Sequence, residues 1–345
     1  MNAGESTVNW LYCDQLRVDD GWAVRTPSGF KWWAHQHAQT IEVIGQETGP
    51  GGQVGYFVSV QTDVMRSLEL TAPRLLVLNE MVMPTATMTG PVYDAETKTL
   101  RLASLVRVYD GITQWMNPLL SVAAILQLSE AARIGDVLAS VFEAEDAISG
   151  PPGRGLRDEP DEMAQLEAGL VAPMGAEPPR WPPAEFREAV ERYMRKPPSL
   201  EANYGKLGLT VEFPYGEQSS LCQIVGDQRH PRLGHGLLIL QSFPVAGKTE
   251  EAGATLALDL NKTALTDRPI GYGFGSYAYK PGVIHYNCFF PNALYRPGLI
   301  PNLYFSCAQR AREMSVRLIG RDWSTQSPSQ SKSAMARLFD SLRGR

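Results

Sequence analysis

Short runs of β-branched and aromatic residues, separated by turn residues, fill the first part of the chain. Trp22–Arg25, Phe30–His37, Thr40–Gln46 and Val54–Gln61 are such runs, punctuated by Pro27-Ser28-Gly29 and Gly49-Pro50-Gly51-Gly52. They predict four strands. Leu68–Asn79 then predicts a helix entered through Pro73. Pro91–Tyr93 and Leu100–Tyr109 predict a hairpin around Asp94-Ala95-Glu96-Thr97. Asn117-Pro118 is a cap and first-turn pair, and Leu119, Val122, Ile125 and Leu126 follow it at helical spacing, which predicts a long helix towards Ala139.

The second part repeats that order. Leu207–Phe213, Ser220–Val225 and His235–Phe243 read as strands, Thr249–Asn261 as a helix weakened by Gly253, and Leu299–Met314 as a closing helix. Between the helices, Gly271–Tyr279 and Val283–Phe290 read as a hairpin around Lys280-Pro281-Gly282. Leu76-Val77-Leu78-Asn79 lines up with Leu258-Asp259-Leu260-Asn261. Pro118 and Ala132-Arg133 likewise line up with Pro297 and Ala311-Arg312. The order predicts an internal duplication with a period of about 180 residues. The expected fold is α+β: two similar domains, each an antiparallel sheet packed with helices.

These elements resemble the YbjN family, whose fold is that of type III secretion chaperones. The family pattern is a three-stranded meander, a helix ending near Leu-Asn, two more strands and a closing amphipathic helix. Leu78-Asn79 and Leu260-Asn261 supply the Leu-Asn, and Trp115-Met116-Asn117-Pro118 and Phe289-Phe290-Pro291-Asn292 supply the joint into the last helix. The two copies would cover Gly21–Val141 and Tyr204–Ile319. The resemblance implies protein binding without catalytic residues, and a tandem that builds within one chain the pair that secretion chaperones form as dimers.

Composition changes the picture between the copies. Ten of the 25 prolines fall between 143 and 201, and Glu143, Glu145, Asp146, Asp158, Glu159, Asp161 and Glu162 make the first part of that stretch acidic. Such a segment has little apolar surface with which to offset its ordering entropy. One helix is expected inside it, Ala184–Met194, after Pro182-Pro183 and before Pro197-Pro198. The expected organisation is a first domain over 1–142, an acidic Pro-rich linker over 143–183, a second domain over 184–322, and a polar then basic amphipathic tail over 323–345.

Charge and cysteine content narrow the function. With 32 basic and 37 acidic residues the net charge is -5, so nucleic acid is not an expected partner. No apolar run is long enough to predict a membrane span. Cys13, Cys222, Cys288 and Cys307 show no CxxC spacing. Reduced thiols and the lack of a basic, apolar N-terminus fit a cytoplasmic protein.

Candidate chemistry is sparse. Gly271-Tyr272-Gly273-Phe274-Gly275 lacks the third glycine of a dinucleotide fingerprint, and a strand follows it instead of a helix. It reads as a place where glycines admit close backbone approach. His35 and His37, two apart on a strand, share a face, with no carboxylate nearby in sequence to complete a metal site. His230 and His235 flank a turn, and His285 and Cys288 point to opposite faces. Cys288 and Cys307 lie among aromatics and read as packing. No cofactor or metal is expected.

The residues expected to bind a partner are aromatic or apolar. Adjacent Trp32 and Trp33 point to opposite faces, so one is core and the other is exposed or covered. Trp115 joins them, as do Leu338 and Phe339 on the apolar face of the tail, beside Arg337, Arg343 and Arg345. The expected function is a non-enzymatic adaptor or chaperone-like protein that holds a protein partner or secreted client, as an intramolecular pseudo-dimer and monomer. The alternative is an enzyme, a hydrolase or transferase, with its site between the halves. An enzyme should gather histidines and acids in one pocket with shifted pKa values. An adaptor should expose an apolar patch instead.

Overall fold

The computed structural model describes residues 1–49, 52–84, 87–165, 181–194, 203–205 and 208–320. The first sheet contains β1 (Ala23–Arg25), β2 (Gly29–Trp33), β3 (Ala38–Thr48), β4 (Val54–Arg66), β5 (Gly90–Asp94) and β6 (Thr99–Val108). Its order is β1-β2-β3-β4-β6-β5, with β7 (Glu145–Asp146) paired to the end of β4. The second contains β8 (Asn203–Gly205), β9 (Gly208–Tyr215), β10 (Gln218–His230), β11 (Gly234–Pro244), β12 (Ser276–Lys280) and β13 (Val283–Pro291), in the order β12-β13-β11-β10-β9-β8. All pairings are antiparallel. In both sheets four successive strands pair as a meander, and a later hairpin returns its second strand to the fourth.

Helices α1 (Ala3–Trp10), α2 (Ala72–Met81), α3 (Thr113–Phe142), α4 (Pro183–Met194), α5 (Glu250–Lys262) and α6 (Leu299–Ile319) pack with the sheets. The sequence pattern does not predict α1. Its start is a reciprocal cap, in which Glu5 N donates to Asn2 Oδ1 and Asn2 N donates to Glu5 Oε2. Helix α3 begins a turn before the expected Asn117-Pro118 start, which places Pro118 inside it. Proline lacks the N–H that the Gln114 carbonyl would accept. Arg296 Nη1, from the second half, donates to that carbonyl instead at 3.3 Å. Asn117 accepts from Thr7 of α1 and caps nothing.

One continuous apolar core runs through both halves. The glycine string forms the joint. Residues 271–275 are loop, not the expected strand, and β12 begins only at Ser276. Gly273 has φ +67°, and a Cβ there would run into the Leu105 carbonyl. That approach lets Leu105 N donate to Gly273 O at 3.0 Å. Phe289 N donates to Thr87 O at 3.3 Å nearby. Gly253 does not break α5, because the Tyr279 ring occupies the space a Cβ would need.

The two Leu-Asn motifs converge on one strand. Asn261 Oδ1 accepts from Tyr277 N and its Nδ2 donates to Tyr277 O. Asn79, from the first half, does the same for Tyr279 N and O, at 2.7 and 2.8 Å.

The acidic Pro-rich stretch lies against the first sheet over 143–163. Backbone pairing holds it, with Ala147 buried and Ala144 and Met163 packed against the core. Besides β7, Ile148 bridges His37, Ser149 N donates to Gln36 O, and Asp161 N donates to Ala34 O. Arg157 anchors the segment by donating to the Trp33 carbonyl and to Asp161. Further along, Trp181 is fully buried and donates to Asn292 Oδ1. The expected helix after Pro182 is α4, which packs against α6.

Candidate functional site

Two hollows flank the second half of α3, and Arg133 lines both. The first has a volume of 320 Å³ and is lined by His35, His37, Ser129, Arg133 and Pro160 among others. His35 and His37 lie just past the end of β2 and still reach the same pocket. Asp146 of β7, 109 positions further along the chain, places Oδ1 2.8 Å from His37 Nε2. The carboxylate absent from the local sequence is thus supplied by the acidic stretch. His35 has a lowered pKa, chiefly because burial disfavours its charged form. The His37 and Arg157 charges act in the same direction, against a hydrogen bond to the Asp158 backbone. A neutral imidazole, an imidazole oriented by a carboxylate, a hydroxyl and a guanidinium can together move a proton or hold an anion. Among the described residues no three His, Cys, Asp or Glu side chains are placed so that they could hold a metal ion.

The second hollow is a groove of 380 Å³ between α2, β5 and α3, closed on one side by Arg232 from the turn between β10 and β11. Met81, Val82, Pro91, Ile134 and Val137 line it, with Met81 54% and Val137 58% exposed. Val141, one turn beyond Val137, is exposed as well. Glu130, Arg133 and Arg232 form the polar side, and Arg232 Nη2 donates to Glu130 Oε1 at 2.7 Å. His230 supports the turn that carries Arg232: its Nδ1 accepts from the N–H groups of Arg232 and Leu233. Its pKa is lowered to about 4 by burial, and then by the charges of Arg232 and Arg133.

A third cluster is closed to solvent. Cys222 of β10, Cys288 of β13 and Cys307 of α6 gather near Arg310, whose guanidinium lies 3.5 Å from the centre of the Tyr286 ring. Cys222 and Cys307 share a hydrogen bond that raises the first thiol and lowers the second, with the Arg310 charge also favouring the Cys307 thiolate. The sequence gives no sign of this convergence, because the three cysteines sit on separate elements.

The tryptophans expected to bind a partner do not offer surface. Trp32 is 0% exposed on the core side, where its Nε1 donates to Gln39. Trp33, 4% exposed, points the other way and is covered by the acidic stretch, with Nε1 donating to Ser149 Oγ. The two rings lie on opposite faces of the sheet, and the chain itself covers the second. Trp115 is half-buried against the Gly298 turn. Leu338 and Phe339 lie outside the described residues, as does the tail over 323–345. The surface that sequence reasoning missed is the groove, whose apolar residues come from three elements. No family model, curated protein or solved structure matches this chain.

Proposed function

We propose that this chain is a non-enzymatic protein-binding adaptor, chaperone-like in use, that holds a partner through the groove beside α3. The observation that carries this is the pair of exposed apolar side chains, Met81 and Val137, on the lips of a groove in the first half that Arg232 of the second half closes on one side. Apolar surface concentrated at a concavity is the usual mark of an interaction site. The shared strand order of the two sheets supports descent from one duplicated unit, hence an intramolecular pseudo-dimer. Cysteines that are all unpaired are in keeping with a cytoplasmic location. The test is capture from native extract by tagged wild-type chain and by Val137→Asp. A stoichiometric partner held by the wild type and lost by the variant is expected. A partner held equally by both would refute the groove as the contact.

A second reading is favoured by the convergence of His35 with the His37–Asp146 pair. In it the protein is a hydrolase whose site is the histidine pocket, with His35 as general base. Turnover of p-nitrophenyl acetate that is lost in both His35→Gln and His37→Gln would support it. Turnover no faster than that of either variant would remove it.

A further inference from the structure

The groove has a definite chemical polarity. One wall is aliphatic, formed by Met81, Val82, Ile134 and Val137. The other end carries two guanidinium groups, Arg133 and Arg232, against one carboxylate, Glu130. His230 beside them is neutral at pH 7, since burial and the same two cations hold its pKa at about 4. The residues lining the head of the groove are thus two cations to one anion, on a protein whose overall charge is -5. Its 380 Å³ lies at the small end of the roughly 300–1,000 Å³ typical of ligand sites. An occupant complementary to this surface has one flexible aliphatic chain and one singly charged anionic head.

We propose that the groove binds a single-chain aliphatic carboxylate, its tail along Met81, Ile134 and Val137 and its head at Arg133 and Arg232. The inference rests on the groove being a binding surface, as in the adaptor reading, and adds the chemistry of what enters it. Burial of the tail supplies the affinity, at about fourfold per methylene. The charge-assisted contact at the guanidinium groups supplies the preference for an anion.

The test is calorimetric titration of the full-length chain with octanoate, decanoate, decanol and decyltrimethylammonium. Decanoate should bind about fifteenfold more tightly than octanoate, and more tightly than either decyl control. Arg133→Gln, which leaves the Arg232–Glu130 pair in place, should weaken decanoate about tenfold and leave decanol unchanged. Val137→Asp should abolish binding of both, and Met81→Ser should weaken both, with melting curves confirming that each variant is folded. Equal binding of carboxylate, alcohol and ammonium, or decanoate binding indifferent to both Val137→Asp and Met81→Ser, would overturn the proposal. The two readings fail separately. Partner capture that needs Val137 without any decanoate binding removes only the ligand. Decanoate binding that needs Val137, with partner capture unaffected, removes only the adaptor contact.

Discussion

Where α3 crosses the first sheet, the Ala124 carbonyl accepts from Gln39, and Gln127, three residues on, bonds Thr62, Ser104 and the Val60 carbonyl. Where α6 crosses the second, the Cys307 carbonyl accepts from Gln241, and the residue three further on is Arg310. The geometry is shared and the chemistry is not. In the first half each buried amide is answered, since Gln39 also donates to Thr62 and accepts from Trp32. In the second, Gln241 Oε1 and Arg310 Nε have no partner. No carboxylate pairs with the guanidinium among the described residues; it rests on the Tyr286 ring and the Ile270 carbonyl. A satisfied neutral network fixes one arrangement of helix on sheet. A buried cation held mainly by aromatic rings retains much of its desolvation cost.

The comparison depends on the halves forming one body, so the largest effect should come from their joint. Gly273→Ala should cost about 3 kcal/mol or more in urea denaturation, because it adds a clash with Leu105 to a left-handed backbone. Gly247→Ala is the control: it is also left-handed but has nothing within 4 Å, so it should cost about 1–2 kcal/mol. A similar loss for both would mean that the joint contributes little. Next, Gln127→Ala should cost about 2 kcal/mol, since it takes the acceptor from the buried Thr62 hydroxyl and one donor from Ser104, which keep only their bonds to Gln39 and to the Met88 carbonyl.

A pH series should show a smaller effect. His230, His285 and His35 all have lowered pKa values in the folded chain. The unfolded chain therefore takes up protons first, below about pH 6.5. Melting temperature should be constant from there to about pH 8, where thiols begin to titrate, and fall as pH drops towards about 4, the folded value for His230. His230→Asn should flatten part of this slope, and an unchanged slope would assign it to other groups. The smallest effect should be at Arg310→Met, within about 1 kcal/mol of wild type and of either sign. A loss as large as that of Gln127→Ala would mean that the two helix–sheet layers are equally satisfied.

Much of the fold was legible where local signals were strong. The hairpin β5–β6 was readable from its Asp94–Thr97 turn, and α5 from Thr249, whose side chain accepts from Ala252 N. Strand ends were less legible. β4 runs on to Arg66 and β10 to His230 because long neighbouring strands pair with them, a tertiary effect that residue preference does not carry. At the site, His35 and His37 were expected to share a face of a strand, but β2 ends at Trp33, so their spacing does not account for their meeting in one pocket. Asp146 was not legible either, because it lies in a stretch whose composition reads as unfolded chain. Likewise Arg232 meets Glu130 from 102 positions away, a distance no sequence window spans.

The asparagines on β12 have a consequence for assembly. An open sheet edge presents N–H and C=O groups that can recruit another strand, the usual route to runaway association. Here the outward groups of Tyr277 and Tyr279 are already taken by Asn261 and Asn79, and β5, the corresponding strand of the other sheet, has α5 packed against it. The β12 edge is thus closed at Tyr277 and Tyr279 by the protein's own asparagines, so a strand from another molecule cannot pair there beside the joint that holds the halves together.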